Sequence, residues 1–152
     1  MYNHKNSNEK YLELLKFMTN GEGASGRSEL VPLFIKNASG SIVYDEDGNK
    51  YIDYMLAYGP LILGHTHPSI VNAIINQVQK GTIFGFSNDL EIEVSKKIVD
   101  LFPTIDQVRF NSTGTEAVQS AIRVARSYTS KNKIVKFVGQ YHGWLDNILI
   151  SG

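Results

Sequence analysis

The sequence contains no cysteine. A disulfide framework, a thiolate zinc site and a cysteine nucleophile are therefore excluded from these residues. It also lacks a charge bias, since 15 Lys and Arg balance 15 Asp and Glu. No general field draws such a chain to nucleic acid or to an anionic membrane surface. Long apolar runs are missing too. None approaches the ~18 residues needed to cross a bilayer, and the N-terminal "MYNHKNSNEKYLELLKFM" is polar before its one apolar stripe. These absences point to a cytoplasmic protein without a targeting segment, acting on small molecules.

What is present changes character along the chain. Tyr11, Leu12, Leu14, Leu15 and Met18 recur at helical spacing before Asn20-Gly21, which predicts a helix over residues 8–19. The glycine-rich "GEGASGRSEL" has no period and reads as a loop. From Leu33, three β-rich pieces are separated by Ala38-Ser39-Gly40 and by Asp45-Glu46-Asp47-Gly48-Asn49, a small antiparallel meander. Beyond Gly64 the pattern becomes α/β. Pro68 suits the first turn of a helix whose face is Ile70, Val71, Ile74, Ile75 and Val78, with Gly81 placed as its C-terminal glycine. Asn88 and Glu91 open a helix over Asp89–Leu101 that Pro103 closes. A strand over Gln107–Phe110, a helix over Thr115–Tyr128 and a strand over Lys133–Val138 follow. That order, with short apolar strands, predicts a parallel sheet. A parallel sheet needs several strands, so the 152 residues read as a truncated part of a larger fold. The division expected is residues 1–64, an N-terminal helix and β segment, and residues 65–152, the first part of a large α/β domain.

Three stretches carry chemistry. In "FNSTGTEAVQS", Thr113 and Glu116 have the spacing of a capping box, a purely structural role. The same turn also offers free amides, a positive dipole end and hydroxyls to one point, which suits a phosphate. Spacing alone leaves both readings open. It does exclude a Walker loop, which needs a lysine, and the dinucleotide G-x-G-x-x-G pattern. "FVGQYHGW" follows the next predicted strand, so Tyr141 and His142 belong at the same carboxyl-end edge as Thr113–Thr115. An aromatic face can stack on a planar ring there, or Tyr141 and Trp144 can simply pack the end of the sheet. In "YGPLILGHTHPSI", Tyr58 ends a strand and can line a pocket. His65 and His67 alternate on a loop with no nearby carboxylate or cysteine, so loop and cap roles before Pro68 account for them better than a metal does.

Together and in this order, "YDEDGNKYIDY", "GPLILGHTHP", "VRFNSTGTEAVQSAIRVAR" and "KIVKFVGQYHGW" resemble the class III pyridoxal-phosphate aminotransferases, especially the branch that includes glutamate-1-semialdehyde 2,1-aminomutase. The likeness runs from about Leu33 to Ile150. It implies the N-terminal part of a type I pyridoxal-phosphate fold and a homodimer with sites at the subunit interface. By that resemblance Thr113, Gly114 and Thr115 hold the phosphate of pyridoxal 5'-phosphate, Tyr141 stacks on its ring, and His142 sits beside it. Tyr58 matches a substrate-contact position, and Arg27 corresponds to a carboxylate-binding arginine of the aminomutase branch or else is a solvated loop charge. The family's Schiff-base lysine has no counterpart on this chain, so no catalytic residue is assigned here. The activity implied is amino transfer between an amino acid or amine and a carbonyl acceptor. "YHGW" with Leu145-Asp146 leans toward the general transferases, whereas Gly59-Pro60 and "SAIRVAR" suit the aminomutases. A non-catalytic remnant is the rival from another class.

Overall fold

The structure, a computed structural model, describes residues 2–19 and 32–149. The chain divides into two compact units, Met1–Phe84 and Gly85–Gly152.

The first unit contains helix α1 (Lys5–Leu14), strands β1 (Ile35–Ser39), β2 (Ile42–Asp45) and β3 (Lys50–Ile52), and helix α2 (Pro68–Val78). The strands form an antiparallel meander in the order β1-β2-β3, with Ser39 opposite Ile42 and Val43 opposite Tyr51. The meander expected from the two turn sequences is therefore present. What organises it is the turn between β2 and β3. Asp45 is almost fully buried, and its carboxylate accepts hydrogen bonds from the Asp47 amide (3.0 Å), the Asn49 amide (2.7 Å), the Asn49 side chain (2.7 Å) and the Tyr51 hydroxyl (2.9 Å). Burial pushes the Asp45 pKa up, but the bonds from Asn49, Tyr51 and the two amides outweigh it, and the carboxyl lies below its ordinary 3.8. The opposite shift falls on Tyr51, whose phenol is pushed up to about 12 by burial and then by its bond to Asp45.

The same turn starts α1. Its N-cap residue, His4, makes no side-chain cap bond, yet the Asn6 and Ser7 amides donate to the two Asp47 carboxylate oxygens at 2.8 and 2.9 Å. Those amides are otherwise orphaned at a helix N-terminus, where a carboxylate also meets the positive end of the dipole. Lys10 adds an ion pair to Glu46 at 2.6 Å. The helix expected over residues 8–19 thus begins earlier, at Lys5, because its cap comes from Asp47 rather than from a local residue, and it ends at Leu14.

The second unit contains α3 (Asp89–Leu101), α4 (Gly114–Thr129) and a short α5 (Asp146–Leu149). Asn88 caps α3, accepting from the Leu90 amide at 3.0 Å, as its sequence predicts. The two predicted strands, 107–110 and 133–138, do not form. Among the described residues neither segment joins a ladder, and Val135, Phe137 and Val138 are more than four-fifths exposed. A strand exists only through a partner that takes its amides and carbonyls; apolar composition supplies the propensity but not the neighbour. The apolar stripes of α2 and α3 are likewise about half exposed, and Ile148 is the one buried large hydrophobic residue among those described.

Removing the acceptor leaves several donors of the β2–β3 turn unsatisfied, so Asp45→Ala is expected to cost about 1–3 kcal/mol in urea denaturation at neutral pH. The depressed pKa also sets a pH profile. Because the folded value lies below the unfolded one, the stabilisation is complete above the ordinary carboxylate range and is lost as pH falls below 3.8. Tyr51 acts at the other end: stability should fall as pH rises above 10.0 toward about 12. A wild-type profile flat on both limbs would remove the hub from its central role.

Candidate functional site

Helix α4 starts as its sequence demands. The Glu116 amide donates to the Thr113 hydroxyl oxygen at 3.2 Å, and the Thr113 amide donates back to the Glu116 carboxylate at 2.8 Å. The Thr113 hydroxyl also donates to that carboxylate at 3.2 Å. Both readings of "NSTGTEA" therefore divide between residues. Thr113 is committed to the capping box, while the Gly114 and Thr115 amides take no part in it and stand in the first turn of a helix of 16 residues. Two free amides, a dipole end and the Thr115 hydroxyl are the chemistry that a phosphate dianion needs.

The loop carrying Tyr141 and His142 meets this turn. Gly143 has φ +111°, and a Cβ placed on it would lie 2.8 Å from the Thr115 hydroxyl oxygen, 3.1 Å from its Cα and 3.2 Å from its Cβ. Only glycine allows that backbone conformation and that approach together. Lys136 holds the rest of the loop, its ammonium donating to the Gln140 carbonyl at 3.4 Å and to the Ile148 carbonyl at 2.7 Å. Tyr141, directly after Gln140, is 65% exposed, which leaves a ring face open for stacking. Thr113, Gly114 and Thr115 are thus brought together with the Tyr141-His142 loop.

Tyr58 belongs to the first unit, and it does not end a strand, since β3 stops at Ile52. It lies in a single tight turn, Leu56–Tyr58, whose three residues have φ of 49°, 52° and 66°, followed by Gly59 at 110°. Left-handed backbone costs an L-residue roughly 1–2 kcal/mol, so three in succession require support from elsewhere. The support includes Asp53, whose carboxylate accepts from the Met55 and Leu56 amides at 2.8 and 3.0 Å and from His65 Nε2 at 2.7 Å. The His65 bond, and after it the Leu56 amide, holds the Asp53 carboxyl below its ordinary 3.8. His65 therefore does have a carboxylate partner, one that is close in space and twelve positions away in sequence. His67 occupies the N-cap position of α2 without a side-chain cap bond, so the cap role expected of it is not made. Arg27 lies outside the described residues.

Solved structures with this arrangement of elements include transaminases. A transaminase with PLP bound matches with a TM-score of 0.93 at 36% identity over 97% of this chain and 35% of its own. The omega-transaminase of Sphaerobacter thermophilus matches with a TM-score of 0.91 at 32% identity over 95% of this chain and 33% of its own. The fold is therefore that of part of this enzyme class. More narrowly, residues 24–151 match the family model for class-III aminotransferases, and the chain belongs to that family. Curated relatives include the glutamate-1-semialdehyde 2,1-aminomutases of Thermodesulfovibrio yellowstonii, 47% identical over 149 residues, and Persephonella marina, 58% identical over 120 residues. The matches cover 95% and 79% of this chain, but only 35% and 28% of those relatives.

The division of labour at the start of α4 is testable without any ligand. Thr113→Val should loosen α4 by about 1 kcal/mol, whereas Thr115→Val should change it by less than about 0.5 kcal/mol, read from hydrogen exchange of the helix amides. Equal losses would mean that Thr115 is part of the cap.

Proposed function

We propose that the chain is the cofactor-holding part of an enzyme that moves an amino group with pyridoxal 5'-phosphate. The observation that carries this reading is the contact of Gly143 with Thr115, which joins an anion-ready helix start to an aromatic loop. In it, Gly114 and Thr115 donate amides and a hydroxyl to the phosphate, and Thr113 holds the turn in shape through its capping box. Tyr141 covers one face of the cofactor ring, and His142 lies at its edge. When bound, pyridoxal phosphate supplies the electron sink that makes the carbon bearing the substrate amine acidic. The part played by these residues is to bind and orient; the lysine that bonds the cofactor is not among them. Tyr58 meets the substrate, and Arg27 is proposed for its carboxylate. The active form is a cytoplasmic homodimer using a small-molecule amine and a carbonyl group.

Two reactions fit this chemistry. Transfer between two molecules releases one product before the second substrate enters, whereas an aminomutase returns the amine to a neighbouring carbon of the same molecule. The identities of 47% and 58% to two aminomutases favour the second. The full-length holoenzyme should then convert glutamate-1-semialdehyde without an added carbonyl acceptor. A strict requirement for an external keto acid would assign it to the transferases instead.

The cofactor site itself predicts an order of effects. Tyr141→Ala should weaken retention of pyridoxal phosphate most, by about 1–3 kcal/mol for loss of stacking and contact, with Thr115→Ala smaller. Gly143→Ala should also release cofactor, because the added methyl forces the loop off Thr115. Equilibrium dialysis followed at the cofactor absorbance reads all three. Unchanged affinity in each would sink the placement of the cofactor here.

A further inference from the structure

The residues from Asp53 to His65 form a closed loop with both ends fastened to one place, the turn between β1 and β2. The Asp53 amide donates to the Ser41 carbonyl at 2.8 Å. At the other end Gly40 and His65 exchange both backbone hydrogen bonds, at 2.9 and 2.8 Å. Gly64 lies so close that a Cβ on it would come within 2.8 Å of the Gly40 carbonyl oxygen. The side chains then close the loop a second time through the 2.7 Å bond from His65 to Asp53, while the other Asp53 oxygen takes the Met55 and Leu56 amides. Compact loops with joined ends are frequently functional.

The strain inside the loop is confined to Leu56, Ala57 and Tyr58, directly after the amides that Asp53 holds. Strain of this kind persists only where the surroundings over-determine it, and it concentrates at sites that must be presented in one geometry. We propose that Asp53 and His65 are positioning residues: their bond is the clasp that keeps the left-handed turn formed and so sets Tyr58 toward the substrate. The inference rests on the reading of Tyr58 as a substrate contact. One oxygen of Asp53 faces the turn and the other faces the clasp, so a change at His65 is transmitted to Leu56 and Tyr58 through a single carboxylate.

A double-mutant cycle between His65 and Tyr58 in the full-length holoenzyme tests it, with KM for the amino substrate as the readout and cofactor absorbance as a control. His65→Ala and Tyr58→Ala should each raise KM about tenfold with cofactor retained, and the double variant should be no worse than either alone. His65→Gln should recover much of the loss, since an amide N–H can still donate to Asp53. Chymotrypsin supplies a reading apart from activity: cleavage between Tyr54 and Leu63 should become severalfold faster in His65→Ala and slow again in His65→Gln. Tyr58→Ala with unchanged KM overturns the substrate contact, and the clasp proposal falls with it. If Tyr58→Ala raises KM while His65→Ala does not, or if the two effects multiply, the contact stands and the clasp is overturned.

Discussion

One buried carboxylate holds the first unit together. Asp45 is nearly inaccessible to water, and an ionised group there is tolerable only because four donors surround it. Three of those donors belong to Asp47 and Asn49, so satisfying the charge also folds the β2–β3 turn. Folding that turn puts Asp47 beneath the first amides of α1 and Glu46 beside Lys10. A helix and a sheet that share little apolar contact are thereby joined through a short acidic turn. The coupling runs in both directions, since Asn49 also donates to the Asn3 carbonyl ahead of the helix.

The same economy appears at the other polar sites. Asp53 satisfies two amides with one oxygen and His65 with the other. Glu116 accepts both the amide and the hydroxyl of Thr113. In each case a carboxylate fixes backbone through its own hydrogen bonds. At α4 the Gly114 and Thr115 amides take no part in the cap, so the anion site proposed there would not compete with it for donors. On the proposed reading that arrangement is useful, because a phosphate-bearing cofactor needs a rigid cradle as well as a favourable field.

Much of this was legible in the sequence, and for a consistent reason. Asn88 with Glu91, and Thr113 with Glu116, are three residues apart, so the helix starts they encode are local and appear in the structure where expected. The glycine turns of the meander are local as well. The predicted strands at 107–110 and 133–138 failed because a strand is completed by a neighbour, which apolar composition does not provide. The start of α1 was misplaced because its cap lies some forty positions away at Asp47. Within the candidate site, Thr113, Gly114, Thr115, Tyr141 and His142 could be chosen from motif and resemblance, whereas Gly143 carried only the weak signal of a glycine after an aromatic pair. His65 offered a signal that pointed away from its partner.

Sequence by itself determined the helix caps, the turn positions, the absence of thiol chemistry and the family to which the chain belongs. Each depends on residue type and on spacings of a few positions, which the backbone converts directly into geometry. Tertiary structure alone decided that Asp45 is buried, that Asp47 caps a distant helix, that Asp53 and His65 close one loop, and that Gly143 lies against Thr115. Those pairings join residues far apart along the chain, and only the folded path brings their atoms within a hydrogen bond or a van der Waals radius.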